Sequence, residues 1–223
     1  MTSREARSGP AGVVLCGGSS TRMGRDKATM STPNGPLAGV AARALQDAGC
    51  DPVVLVGGDG GALRSRLGLR WIADSEPGAG PLGGIASAAD LLAGRALIVS
   101  ACDLPDLRGS DVASLRDAVR SGDAEVAVYD RDGRPQWSVL ALGPAAATAM
   151  AAAFAAGERA LHRAVATVAA AGLVVVHLDP PRPEGIGDVD RVEDLPDGWP
   201  ATLTESNPAL DRIPDPAPGQ ASG

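Results

Sequence analysis

The sequence predicts an α/β domain: a mostly parallel sheet covered by helices on both faces, with an antiparallel insertion. Three observations predict it. Short apolar runs alternate with longer segments of helical character along most of the chain, the pattern of strands joined by crossover helices. One pair of apolar runs instead flanks the turn Asp130-Arg131-Asp132-Gly133, which reads as a hairpin. The chain has 223 residues and is 44% hydrophobic, enough for one sizeable domain with a packed core. Only 2% of it is aromatic, so that core must be Ala, Val and Leu.

The elements follow in order. Residues 1–11 are small and polar and read as a flexible start; the domain is expected over 12–196. Val13–Leu15 is a buried strand that stops at Gly17-Gly18. Residues 28–35 read as the exit of the loop after it. Pro36 opens a helix ended by Gly49. Val53–Val56 is a second strand, closing on Gly57-Gly58, and Ala62–Leu67 a short helix. Arg70–Ala73 is a third strand, ending at Asp74. Glycines and prolines make a loop up to Gly84, and Ile85–Leu92 a helix. Arg95–Ser100 is a strand running into Ala101-Cys102-Asp103, and Ser110–Arg120 a helix. Ala124–Tyr129 and Pro135–Leu142 are the hairpin strands. Pro144–Ala156 and Glu158–Ala170 are helices, Leu173–Leu178 is the last strand, and 179–187 is a loop rich in Pro and Gly. Residues 197–223 are Pro-rich without apolar periodicity and read as a disordered tail.

Composition excludes several classes. A net charge of −7 argues against a nucleic-acid groove. No apolar run approaches the roughly 20 residues of a membrane span. The N-terminal MTSREARSGPAG has no apolar core, so no signal peptide is expected. Cys16, Cys50 and Cys102 form no C-x-x-C pair and are odd in number, which fits reduced thiols in a cytoplasmic protein.

The chemistry concentrates in residues 13–27, VVLCGGSSTRMGRDK. Glycines directly after a strand let backbone approach a ligand, and exposed N–H groups in such a turn hold anions. Arg22 and Lys27 add cations, so the loop is suited to phosphates. Lys27 is the sole lysine of the chain. In a composition that otherwise uses Arg, it points to a role for a compact charge on a flexible stem. The G-x-G-x-x-G spacing is not met, and Lys27 precedes Ala28 rather than the Ser or Thr of a Walker loop. In open α/β sheets ligands lie beyond the carboxyl ends of strands. That rule also gathers Gly57-Gly58, Asp74, Asp103 and the 188–190 turn at one edge.

The loop resembles the nucleotidyltransferase signature G-G-x-S-x-R-M-G-x-D-K, matched here by Gly17, Gly18, Ser20, Arg22, Met23, Gly24, Asp26 and Lys27. Within that superfamily the chain is most similar to the molybdenum cofactor guanylyltransferases. Cys16 stands where they usually carry Ala. Asp103 in C-D-x-P matches their metal-binding Asp, Asp74 with Gly80-Pro81-Leu82-x-Gly84 matches a nucleotide segment, and Gly187-Asp188-Val189-Asp190 resembles a late N-x-N motif with Asp for both Asn. An Asn after the second strand is replaced by Gly57-Gly58.

The resemblance implies a Rossmann-like three-layer fold and transfer of GMP from GTP to a molybdopterin-type cofactor. It implies nucleotide contacts from Leu15, Cys16, Gly17, Gly18, Ser20, Arg22, Lys27, Gly58, Asp74, Gly80 and Asp103. Mg²⁺ would be held by Asp103 and Asp190, with Asp190 chosen over Asp188 by position in the motif. Lys27, Arg22 and Asp103 would carry catalysis. Arg134, Gln136, Arg159 and Asp188 would face the acceptor. Molybdoenzymes or other proteins of cofactor biosynthesis are the implied partners. From the residues alone, Asp103 reads equally as a helix cap, Asp74 as a solvated turn residue, and the 188–190 turn as an N-cap. A cytidylyltransferase for the same cofactor, another small-molecule nucleotidyltransferase and a nucleotide-binding regulator without turnover remain beside the main reading.

Overall fold

In the computed structural model, which describes residues 9–17, 27–33 and 35–189, strand β1 (Ala11–Leu15) has a parallel neighbour on each side. A 3-10 turn (Lys27–Thr29) and a two-residue antiparallel ladder of β2 (Ser31–Thr32) and β3 (Gly35–Pro36) occupy the loop exit. Helix α1 (Leu37–Asp47) leads to β4 (Val53–Val56), α2 (Gly60–Leu67) to β5 (Arg70–Ile72), and α3 (Pro81–Leu91) to β6 (Leu97–Ala101). Then come α4 (Gly109–Arg120), β7 (Val126–Arg131), β8 (Arg134–Leu142), α5 (Pro144–Ala155), α6 (Leu161–Ala170), β9 (Val175–Leu178) and a 3-10 turn (Pro183–Ile186).

The main sheet has the order β5-β4-β1-β6-β8-β7-β9. All neighbours are parallel except β8, which runs antiparallel to both β6 and β7. The expected hairpin is thus folded into the sheet, its second strand inserted beside β6.

Side chains alternate across the sheet as strand geometry requires. Val13, Val54, Val56, Leu97 and Val99 pack under α3, α5 and α6. Val14, Leu55 and Ile98 pack under α1 and α4. Two cores on opposite faces make the central strands β1 and β4 apolar throughout. Small side chains do much of the packing: Ala41, Ala42, Ala88, Ala146 and Ala164 are buried.

Several boundaries differ from the sequence reading. Helix α3 begins at Pro81, four residues before Ile85, because Gly83-Gly84 is helical rather than a turn. A Cβ on Gly84 would fall 2.8 Å from Leu15 Cδ2, so glycine lets the helix lie close on β1. Helix α2 begins at Gly60 because Asp59 caps it, its Oδ1 accepting from the N–H of Gly61 (3.0 Å) and Ala62 (3.1 Å). Helix α6 begins at Leu161, not Glu158; the Glu158 carboxylate accepts from the N–H of Arg159 and Ala160 instead. Strand β7 runs two residues beyond Tyr129 into the hairpin. The expected tail lies outside the described residues.

Candidate active site

The crossovers from β1 and from α3 run to opposite sides of β1, so a crevice opens where β1 and β6 end. A cavity of about 440 Å³ lies there. Its floor comes from Leu15, Cys16 and Gly17 after β1 and from Ala101, Cys102 and Asp103 after β6. Asp74, Gly80 and the start of α3 form one wall, and Trp137 of β8 contributes from the other side.

Lys27 reaches this cavity from its 3-10 turn. Its Nζ donates to the Val189 carbonyl at 2.8 Å and lies 3.5 Å from Asp103 Oδ2. The exit of the loop is fastened by Arg66, which donates to the Thr29 carbonyl at 2.6 Å and to Ser31 Oγ at 2.9 Å. Val189 is buried, and its N–H donates to the Asp103 carbonyl at 3.0 Å. The late segment therefore closes back on both residues through its backbone.

Asp103 does not cap a helix, since α4 starts only at Gly109. Its carboxylate is held above the ordinary range, chiefly by burial; nearby Asp188 adds to this and Lys27 opposes it. Asp188 is exposed. Asp190, with Gly18, Ser20, Arg22, Met23, Gly24 and Asp26, falls outside the described residues.

Asp74 is not a solvated turn residue. A Cβ on Gly17 would fall 2.5 Å from its Oδ2, and one on Gly57 would clash with the same oxygen. A Cβ on Gly84 would touch Oδ1 at 3.6 Å. Three glycines from three elements thus close around one carboxylate, and burial raises its pKa. Gly17 makes room for Asp74 as well as for a ligand. Gly58 is exposed and is not part of the cavity wall; its neighbour Gly57 is the one against Asp74.

The acceptor-side candidates are scattered. Arg134 is exposed at the hairpin turn, and Gln136 Nε2 donates to its carbonyl at 2.8 Å. Arg159 stacks on Phe154 with its guanidinium 4.2 Å from the ring centre and pairs with Glu76 at 2.8 Å. It braces the loop carrying Asp74 and Gly80 from outside the cavity. The three cysteines are buried and not joined in disulfides; burial pushes the Cys50 thiol up to about 12, against the pull of Arg116.

Sequence reasoning missed two contributors. Trp137 was signalled only by the rarity of aromatics. The Val189 carbonyl left no signal, because any residue could supply it. Among the described residues no three ligating side chains cluster for a metal. One or two carboxylates suffice for Mg²⁺ when substrate phosphates complete its shell, and Asp103 with Asp188 nearby fits that donor set. No helix among the described residues is long and apolar enough to cross a membrane.

Residues 12–173 match the family model of the MobA-like NTP transferase domain. A protein of Opitutus terrae named as a probable molybdenum cofactor guanylyltransferase is 38% identical over 129 residues, spanning 55% of this chain and 61% of that protein. A protein of the same name from Chloroflexus aggregans is 32% identical over 157 residues, spanning 69% of this chain and 75% of that one. The structure of molybdopterin-guanine dinucleotide biosynthesis protein A from Archaeoglobus fulgidus superposes with a TM-score of 0.61 at 22% identity, over 76% of this chain and 83% of that one. A nucleotidyl transferase from Methanothermobacter thermautotrophicus does so with a TM-score of 0.68 at 15% identity, over 82% and 93%. At these identities the two superpositions concern the fold.

Proposed function

The chain belongs to the MobA-like NTP transferase family, and we propose that it transfers GMP from GTP to the phosphate of a molybdopterin-type cofactor, giving a guanine dinucleotide cofactor and pyrophosphate. The observation that carries this reading is Lys27, poised 3.5 Å from Asp103 at the carboxyl ends of β1 and β6. The named relatives supply the substrate classes.

An oxygen of the acceptor phosphate forms the new bond to the α-phosphorus of GTP, and the bond from that phosphorus to the bridging α–β oxygen breaks. A phosphate monoester is largely ionised at neutral pH, with a second pKa of about 6, so no side chain needs to remove a proton. The residues position and neutralise. Lys27 meets the negative charge that builds on departing pyrophosphate, a role the motif also gives to Arg22. Its present partners, Asp103 and the Val189 carbonyl, hold the ammonium in place until a phosphate replaces one of them. Asp74 and the glycine-lined start of α3 face the nucleotide. Asp103, with Asp188 or Asp190, would hold Mg²⁺, which would supply neutralisation of phosphate charge.

The test is to incubate the full chain with Mg²⁺, molybdopterin and each nucleoside triphosphate in turn and to identify the product. A guanine dinucleotide cofactor and pyrophosphate from GTP is expected. A cytosine product would move the chain to cytidylyl transfer. Nucleotide binding without pyrophosphate release would make it a binding protein.

A further inference from the structure

We propose that Trp137 is an acceptor-binding residue that stacks on the flat pyrimidine end of the acceptor's pterin; this rests on the transfer reaction proposed above. Three features of the structure lead there.

The first is the backbone around it. Val128 of β7 pairs with Leu140 of β8, yet the next residue, Tyr129, pairs with Gln136. Trp137, Ser138 and Val139 therefore have no partner on β7, and β8 bulges there. Bulges beside active sites re-aim side chains, and this one sets Trp137 in the cavity wall.

The second is the state of the indole. It is half-buried, packed against the core under α3, α5 and α6, and its side chain lines the cavity. Among the described residues nothing accepts from its N–H. Trp71 is the contrast: its Nε1 donates to the Gly57 carbonyl at 2.8 Å and its ring covers Gly60. Trp71 is held by that bond, whereas Trp137 lines the cavity with no such tether among the described residues.

The third is the order of strands. Asp74 follows β5, Gly57 follows β4, Gly17 follows β1, Asp103 follows β6, and β8 comes next. With phosphates at the loop after β1 and the transferred phosphorus near Asp103, the nucleoside extends toward β4 and β5. A ring beyond β6 on the β8 side belongs to the other substrate. A half-buried indole in a cavity wall of a nearly aromatic-free protein suits a fused heterocycle, and stacking tolerates changes in its substituents.

The test uses the full chain with every tryptophan replaced by 5-fluorotryptophan. The Trp137 ¹⁹F resonance is assigned as the one missing from Trp137→Phe. Molybdopterin is expected to shift it, and GTP with Mg²⁺ to leave it in place. In kinetics, Trp137→Leu should raise KM for molybdopterin about tenfold, within the range for loss of one stacked base, and leave KM for GTP within roughly twofold. Trp137→Phe should restore most of the loss. A resonance that moves with GTP alone would overturn the proposal by giving the indole to the nucleotide. An unchanged KM for molybdopterin in folded Trp137→Leu would reduce it to a wall. If the wild type makes no dinucleotide at all, the transfer reading falls and takes this one with it; if it does, only this one is at stake.

Discussion

Lys27 is the residue on which most of the chemistry converges, and its surroundings separate two kinds of failure. Lys27→Met should weaken both GTP binding and turnover, and Lys27→Arg should rescue poorly, since a planar fork cannot donate to Val189 and face Asp103 as a point charge does. Asp103→Asn should lower turnover on the order of 10²–10³-fold, the scale of lost electrostatic stabilisation, and added Mn²⁺ or Mg²⁺ should recover part of it. Normal turnover in that variant would remove Asp103 from the mechanism. Asp74 makes a prediction of opposite sign for stability. Burial raises its folded pKa above the ordinary 3.8, so the native state binds its proton more tightly than the unfolded chain. Stability then falls as pH rises from about 3.8 through the raised value, and the deficit is complete above it. Asp74→Asn should accordingly melt no lower than wild type at pH 7, and the two should converge near pH 3.5, while GTP binding weakens. A clear loss of Tm at pH 7 would contradict the burial account. The motif made Lys27, Asp74 and Asp103 legible because all three directly follow strands or the glycine loop. It could not show that Asp74 is wrapped by Gly17, Gly57 and Gly84, because that contact joins four separate stretches of chain.

At the scale of elements, the segment that brings Val189 to Lys27 is fastened by an ion pair between the half-buried Arg182 and the buried Asp111. Asp111, fully buried in the first turn of α4, accepts from Arg182 Nε at 2.9 Å and Nη2 at 2.7 Å and from the Arg108 N–H at 2.9 Å. Gly185 has no Cβ because one would fall 2.5 Å from Asp111 Oδ2. Removing Arg182 leaves a buried carboxylate without its cation. Arg182→Ala should cost about 3 kcal/mol, a drop in Tm on the order of 6–12 °C. Turnover measured well below that Tm should still fall, because Val189 is no longer held against Lys27. Full activity at low temperature would show that the segment holds its place without the pair. The sequence could suggest neither partner, since a buried Asp and a distant Arg leave no periodic trace. Strands and helices were legible where hydrophobic period and caps agree, as in α1 and β4. They differ at α3 and α2, where helical Gly83-Gly84 and Gly60-Gly61 look like loop, and the close approach of Leu15 to Gly84 and of Trp71 to Gly60 becomes visible only in the fold.

For the whole molecule, the last sheet strand ends at Leu178 and the family match at residue 173. Truncation after Asp197 is therefore expected to leave turnover within a few-fold, and a large loss in a folded protein would assign the tail a part in the reaction. The position of β8 between β6 and β7 has a consequence for synthesis. As the nascent chain leaves the ribosome, β6 can pair with β1 at once, but its other edge stays bare until Leu142 has emerged. That edge is Leu-Ile-Val-Ser-Ala, a short apolar template for adventitious pairing with other chains. The strand that ends beside Asp103 is thus exposed during translation, and slow elongation through residues 102–142 would favour chaperone capture or aggregation over assembly of the sheet.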